Sequence, residues 1–285
     1  MRGIPSSVGA AAPCPGLTTR AGRVAAWLGI CVALGCSCLL ANAAADESAT
    51  LTAKLTPERL GGTTTLSFGF EIRGSAGGVP SPLKQLEVRY PADFGIASSG
   101  LGLQSCTPSV LETLGPMGCP SDSFMGHGMV LAAVPFGSQI VQEKAVIAVL
   151  RAPEQNGHTA ILFYAEGVEP VDADVVFSGL LVPAPPPFAE LSIAVPLVPS
   201  LPEGPDVSVL RVQSAIGPAH LTYYEDLHGK RIAYTPKGIV LPARCPRGGF
   251  RFAATFGFLD GSQTTAQTSV RCPRRHRHAH QQRRR

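Results

Sequence analysis

From Phe250 to Phe258 every second residue is apolar, and these five (Phe250, Phe252, Ala254, Phe256 and Phe258) narrow the fold more than any other feature of the chain. Successive side chains of a β-strand face opposite ways, so a period of two places all five on one face. Asp260-Gly261 follows and reads as a two-residue hairpin turn, because glycine tolerates the positive φ that such a turn demands. Residues 263–271 then return as the second arm. The aromatic face reads as core, since a ligand-stacking platform would need polar partners that this face lacks.

The same alternation recurs upstream. Leu66, Phe68, Phe70 and Ile72 oppose Ser67, Gly69, Glu71 and Arg73, and Leu86, Val88 and Tyr90 oppose Gln85, Glu87 and Arg89. Further extended segments are expected at 128–135, 140–150, 159–164, 175–182, 191–195 and 207–216. With glycine and proline between the runs, the pattern predicts an all-β fold, an antiparallel β-sandwich with one short helix and a C-terminal hairpin closed by a disulfide. The helix is expected after Thr107, a capping residue, with Pro108 in its first turn, Val110, Leu111 and Leu114 on an apolar side, and Gly115 as terminator.

Eight cysteines are present, and their use depends on the first 45 residues. Arg20 and Arg23 precede an apolar run over 24–40 that ends in Ala-Asn-Ala-Ala-Ala, the order of an export signal with a small-residue cleavage site. The run falls short of the roughly 20 residues needed to span a bilayer, and no later segment is long and apolar enough to do so. Residues 1–45 therefore read as a signal peptide and the mature chain as secreted or associated with the cell envelope. An uncleaved anchor and lipidation at Cys36 are the weaker alternatives. Cleavage removes Cys14, Cys31, Cys36 and Cys38, leaving Cys106, Cys119, Cys245 and Cys272, which allow three pairings. The local one, Cys106 with Cys119 and Cys245 with Cys272, brackets the helix and the hairpin. Each loop closure is worth about 3 kcal/mol in the chain-entropy account. A zinc site is disfavoured because no C-x-x-C pair occurs among these four.

Residues 46–272 form the expected β-sandwich region, with a candidate subdomain break at 183–187, where Pro183-Ala-Pro-Pro-Pro187 should be extended. Pro196, Pro199, Pro202 and Pro205 recur every third residue and read as a stiff connector, with a partner-docking polyproline helix as the alternative. Charge is unevenly placed. Residues 46–272 carry 15 Lys and Arg against 20 Asp and Glu, whereas the basic tail at 273–285 carries Arg274, Arg275, Arg277, Arg283, Arg284 and Arg285 and no acid. A tail of this kind is expected to be disordered, and an anionic envelope polymer is its candidate partner.

Motifs for catalysis are weak. Ser81-Pro-Leu-Lys84 spells S-x-x-K and Ser121-Asp122-Ser123 loosely matches S-D-N, with Lys237-Gly238 a poor stand-in for K-T-G. That nucleophile belongs at the start of a buried helix, and Ser81, between two prolines, leads into a strand instead. Glu166, Glu169, Asp172 and Asp174 lack the spacing of a calcium loop. His127, His158, His220 and His228 are scattered singly, and His276, His278 and His280 lie among arginines that oppose metal binding. No catalytic residue, metal ligand or cofactor is assigned.

Two stretches carry a resemblance. Pro80-Ser-Pro-Leu83 through Tyr90-Pro91, with Ser105-Cys106 and Gly118-Cys-Pro120, forms one; Leu241-Pro-Ala-Arg-Cys-Pro-Arg-Gly-Gly-Phe250 to Cys272-Pro273 forms the other. Together they resemble exported proteins of high-GC bacteria that have no assigned activity. The resemblance implies shared architecture and no catalytic residue, since its motifs are cysteines, glycines and prolines. The expectation is a non-enzymatic exported protein, a binding or envelope-associated structural module. An extracellular hydrolase whose site is assembled from sequence-distant residues is the alternative.

Overall fold

A computed structural model describes residues 47–169 and 173–273. Its strands, in chain order, are β1 (Ser48–Thr56), β2 (Thr63–Arg73), β3 (Leu83–Pro91), β4 (Phe124–Phe136), β5 (Gln139–Arg151), β6 (Ala160–Glu169), β7 (Asp174–Pro183), β8 (Phe188–Ala194), β9 (Ser208–Ile216), β10 (Tyr223–Leu227), β11 (Lys230–Tyr234), β12 (Ile239–Val240), β13 (Phe250–Phe258) and β14 (Gln263–Val270). One α-helix, α1 (Pro108–Leu114), precedes β4. Apart from the β10–β11 hairpin, every strand belongs to one sheet, ordered β1-β2-β9-β4-β5-β6-β7-β8-β3-β13-β14, with β12 added to β2.

The antiparallel β fold, the one α-helix among the described residues and the disulfides are as the alternation, the capping residues and the cysteines imply. The two-layered sandwich is not. Hydrogen bonding runs unbroken through eleven strands, and the sheet curls until its edges β1 and β14 lie side by side, making a near-closed barrel. Each neighbouring pair in that order is antiparallel, so with an odd number of strands β1 and β14 run parallel at the seam. No ladder joins them; a buried polar clasp lies at their starts. Glu47, only 8% exposed, accepts from the Ser81 backbone N–H at 2.6 Å, and its other oxygen lies 2.6 Å from the Ser262 hydroxyl. Ser262 also sits 2.7 Å from Asp260 Oδ1, and this bonding holds the Asp260 carboxyl below its ordinary pKa.

Pro183 ends β7 and pairs with Ala189, and 184–187 is the hairpin connection between β7 and β8, which are hydrogen-bonded neighbours in the sheet. The C-terminal hairpin differs from expectation by one residue. Phe250 lies opposite Val270, and Phe258 N–H donates to Ser262, so the loop has three residues, with Gly261 at φ +86° as its left-handed member. The bonds Cys106–Cys119 and Cys245–Cys272 are the local pairing.

Two apolar clusters lie on opposite faces of the sheet. Inside are Leu66 and Phe70 of β2, Leu86 and Val88 of β3, and the aromatic face of β13, with Phe94 packing edge-on against Phe250 and Phe252. Outside, over β5, β6 and β7, Leu111 of α1 covers Leu150, Ala160, Leu162 and Tyr164, and the Cys106–Cys119 bond holds this cover in place. Apolar cover on both faces explains why 160–165 reads Ala-Ile-Leu-Phe-Tyr-Ala without alternation. Thr107 caps the helix by accepting from Val110 N–H, and Gly115, at φ +63°, ends it. Leu114, expected on the apolar side, is 62% exposed because a helix of two turns presents only Leu111 squarely to the sheet.

Candidate functional site

The two ends of the barrel are built differently. At the end where β3 finishes and β13 begins, the connections 92–123 and 217–249 are long, and they insert Phe94, Ile96, Leu101, Ile239 and Leu241 into the inner core. The β10–β11 hairpin is pinned there by Tyr223, whose buried hydroxyl donates to the Phe124 carbonyl and accepts from Gly102 N–H at 3.0 Å. Burial pushes the Tyr223 phenol up to about 12. At the opposite end most connections are short. The longer ones are 74–82, which joins β2 to β3, and 195–207, which joins β8 to β9.

Between the two ends the barrel is hollow. A cavity of about 180 Å³ is walled by side chains of β2, β3, β4, β5, β6, β7, β8, β9 and β13, including Ile147, Phe163, Phe177, Leu191, Val212 and Phe252. Neither β1 nor β14 contributes to it, so the seam side is packed and the void lies towards the rest of the wall. Phe163 and Phe177, stacked at 5.1 Å on adjacent strands, are only half-buried although both line this interior void. The only polar side chains in the lining are Tyr90 and Ser214. Ser214 donates to the Phe68 carbonyl at 2.9 Å. Burial pushes the Tyr90 phenol up to about 12.

A second cavity of about 190 Å³ continues the first, sharing the wall residues Leu83, Val130, Ile147, Phe177, Val195 and Val209. Its roof is the proline-rich connector: Pro196, Val198, Pro199 and Ser200 line it. The connector is held as a compact loop by Ser200 N–H to the Pro205 carbonyl (3.0 Å) and Val207 N–H to the Val198 carbonyl (2.8 Å). Phe136, Ile140, Val168, Leu197 and Leu201, at this same end, are exposed.

One carboxyl faces the second cavity. Glu143 of β5 is 9% exposed as a residue; its carboxyl oxygens open onto the cavity, and no described residue hydrogen-bonds or ion-pairs with them. Desolvation raises its pKa. Small residues leave room around it: Ala132 directly across on β4, Ala145 two positions along β5, and Ala165 and Gly167 on β6. Sequence reading does not single Glu143 out, yet the signal is there. Val141, Glu143, Ala145, Ile147 and Val149 share one parity, so a strand through 140–150 places one acid on an apolar face.

The other sequence candidates lie elsewhere. Ser81 precedes a strand rather than opening a helix, and its hydroxyl accepts from Asp260 N–H within the polar clasp. Ser123 donates to the Pro120 carbonyl in a single 3-10 turn. His127 and His220, read as isolated, meet with ring centroids 5.5 Å apart on the outer surface of the barrel. Burial and then the charge of His220 lower the His127 pKa. Glu166 and Asp174 are exposed. Asp172 and the side chain of Glu169 lie outside the described residues, as do residues 1–46 and the arginines from Arg274 to Arg285. No group of three or more His, Cys, Asp or Glu that could hold a metal occurs among the described residues. No described helix is long and apolar enough to cross a membrane. Comparison with protein-family models, with curated proteins and with solved structures finds no match for the chain.

Proposed function

We propose that the chain is an exported binding protein that carries an apolar small molecule inside its barrel. The void carries this reading. Eight strands make a barrel just wide enough for wall side chains to meet, and diameter grows with strand number, so eleven strands leave space that something else must fill. Here the long connections at one end reach the cavity lining through Ile96 and Ile239, and the interior still keeps about 180 Å³ lined almost wholly by hydrocarbon. An apolar cavity of about 150 Å³ stays dry and takes up benzene-sized guests, so this one is of binding size. Two disulfides fit work in an oxidising compartment. On the same reading the C-terminal arginines tether the carrier to an anionic envelope polymer.

Titration of the purified protein with the neutral fluorophore N-phenyl-1-naphthylamine tests the carrier reading. The expected result is saturable binding of one dye per chain, lost in Val212→Phe, whose added ring enters the cavity. Absence of saturable binding, or equal binding by the variant, contradicts it.

A further inference from the structure

The lumen is not uniformly greasy, and its one acid bears on the kind of molecule it holds. Glu143 is nine-tenths buried, faces the outer cavity, and has no partner among the described residues. Its carboxyl oxygens are not sealed within the fold but open onto this otherwise apolar cavity, so they are left free to meet a group that enters it. The carboxyl sits at one end of a wall otherwise made of hydrocarbon. From Glu143 the inward face of β5 runs through Ala145 and Ile147 to Val149, about 20 Å of apolar wall at about 3.4 Å per residue. Inner and outer cavities share six side chains, so one molecule can occupy both.

We infer that the ligand is a cationic amphiphile, its hydrocarbon tail in the inner cavity and its ammonium against Glu143 beneath the proline-rich connector. This inference rests on the lumen being the binding site. Three chemistries are distinguished by the carboxyl. A long-chain ammonium gains a charge-assisted hydrogen bond in a mostly apolar pocket, where such a bond is stronger than in open water. A long-chain alcohol gains an ordinary one. A fatty acid brings a second carboxylate against the first, and two like charges in one site cannot both stay ionised. The polar environment offers no competing cation: the residues lining the outer cavity include no lysine, arginine or histidine.

Displacement of N-phenyl-1-naphthylamine by dodecylamine, dodecanol and dodecanoate tests this on the purified protein at pH 7 and again on Glu143→Gln. That variant keeps the shape of the side chain and removes a buried charge, so it is expected to fold. The amine should bind about tenfold more tightly than the alcohol, and the alcohol more tightly than the acid. In Glu143→Gln the amine and alcohol should become equal while the alcohol keeps its wild-type affinity. An amine-to-alcohol ratio unchanged by Glu143→Gln, or dodecanoate binding as well as dodecylamine, overturns the inference and leaves the lumen reading standing. Failure of all three ligands to displace the dye, or displacement that Val212→Phe does not affect, overturns the lumen reading itself.

Discussion

The two apolar clusters of this protein are separated by one thickness of sheet, yet the smaller outer one is filled and the larger inner one keeps a void. Under α1, Leu111, Leu150 and Ala160 are 0% exposed and Leu162 is 1% exposed. On the other side of the same strands, Phe163 and Phe177 line a void and remain half-buried. Loose packing throughout would leave gaps in both clusters. The difference teaches that the hollow is a property of the eleven-strand barrel, not of a poorly filled core. A helix laid on a sheet closes to contact distance, whereas a closed sheet has a width set by its strand number.

The sharpest way to break this comparison is to truncate one side chain on each side. Leu111→Ala should cost about 2–5 kcal/mol, because a filled site loses both transfer energy and packing. Leu191→Ala, in the wall of the void, should cost less than half as much, since that side chain already borders empty space. Urea denaturation of the two variants gives the ratio, and equal losses would mean that the clusters are packed alike.

Enlargement reverses the order. Ala160→Leu should destabilise by about 1–3 kcal/mol through overpacking of the outer cluster. Val212→Phe should be neutral or slightly stabilising, because its ring fills existing space. Paired thermal melts decide the matter; a Val212→Phe protein as unstable as Ala160→Leu would remove the argument for an open lumen.

The smallest expected effect concerns the acid in the wall. The folded-state pKa of Glu143 is raised by desolvation, so folding disfavours its ionised form. The penalty is complete above the folded pKa, shrinks as pH falls through it, and vanishes below the unfolded value of about 4.3, where both states are protonated. Glu143→Gln should therefore be more stable than wild type at pH 7 and equal to it near pH 3.5. Melts at both pH values give the difference, and a gap that persists at low pH would point to a cause other than charge.

Much of the fold is legible in the chain, and the reason it is legible is local. Alternation marks β2, β3 and β13, because one face of each strand meets core and the other meets water. Strand β1, with Leu51, Ala53 and Leu55 inward, and the β10–β11 hairpin, with His228-Gly229 at positive φ, carry equally clean patterns that the sequence reading does not single out. Thr107 and Gly115 bound the helix by chemistry that acts within one turn. What distinguishes barrel from sandwich is not local. It depends on β9 inserting between β2 and β4, and on β3 lying between β8 and β13, contacts between segments far apart in sequence. The proline-rich connector is readable as stiff, but its place over the outer cavity follows only from which strands it joins. Glu143 is readable by parity alone, and only once β5 is known to have its inner face in a lumen. The one-residue error at Asp260-Gly261 has a small cause: the same Asp-Gly pair serves a two-residue turn and a three-residue loop, and the bond from Phe258 to Ser262 selects the second.

Xenon pressurisation of crystals tests the hollow barrel most directly, because xenon enters dry apolar cavities without needing a specific partner. The account predicts a strong xenon site among Ile147, Phe177 and Leu191 inside the barrel and none beneath α1 around Leu111. Side chains from opposite walls meeting across the barrel, with no xenon between them, would contradict it.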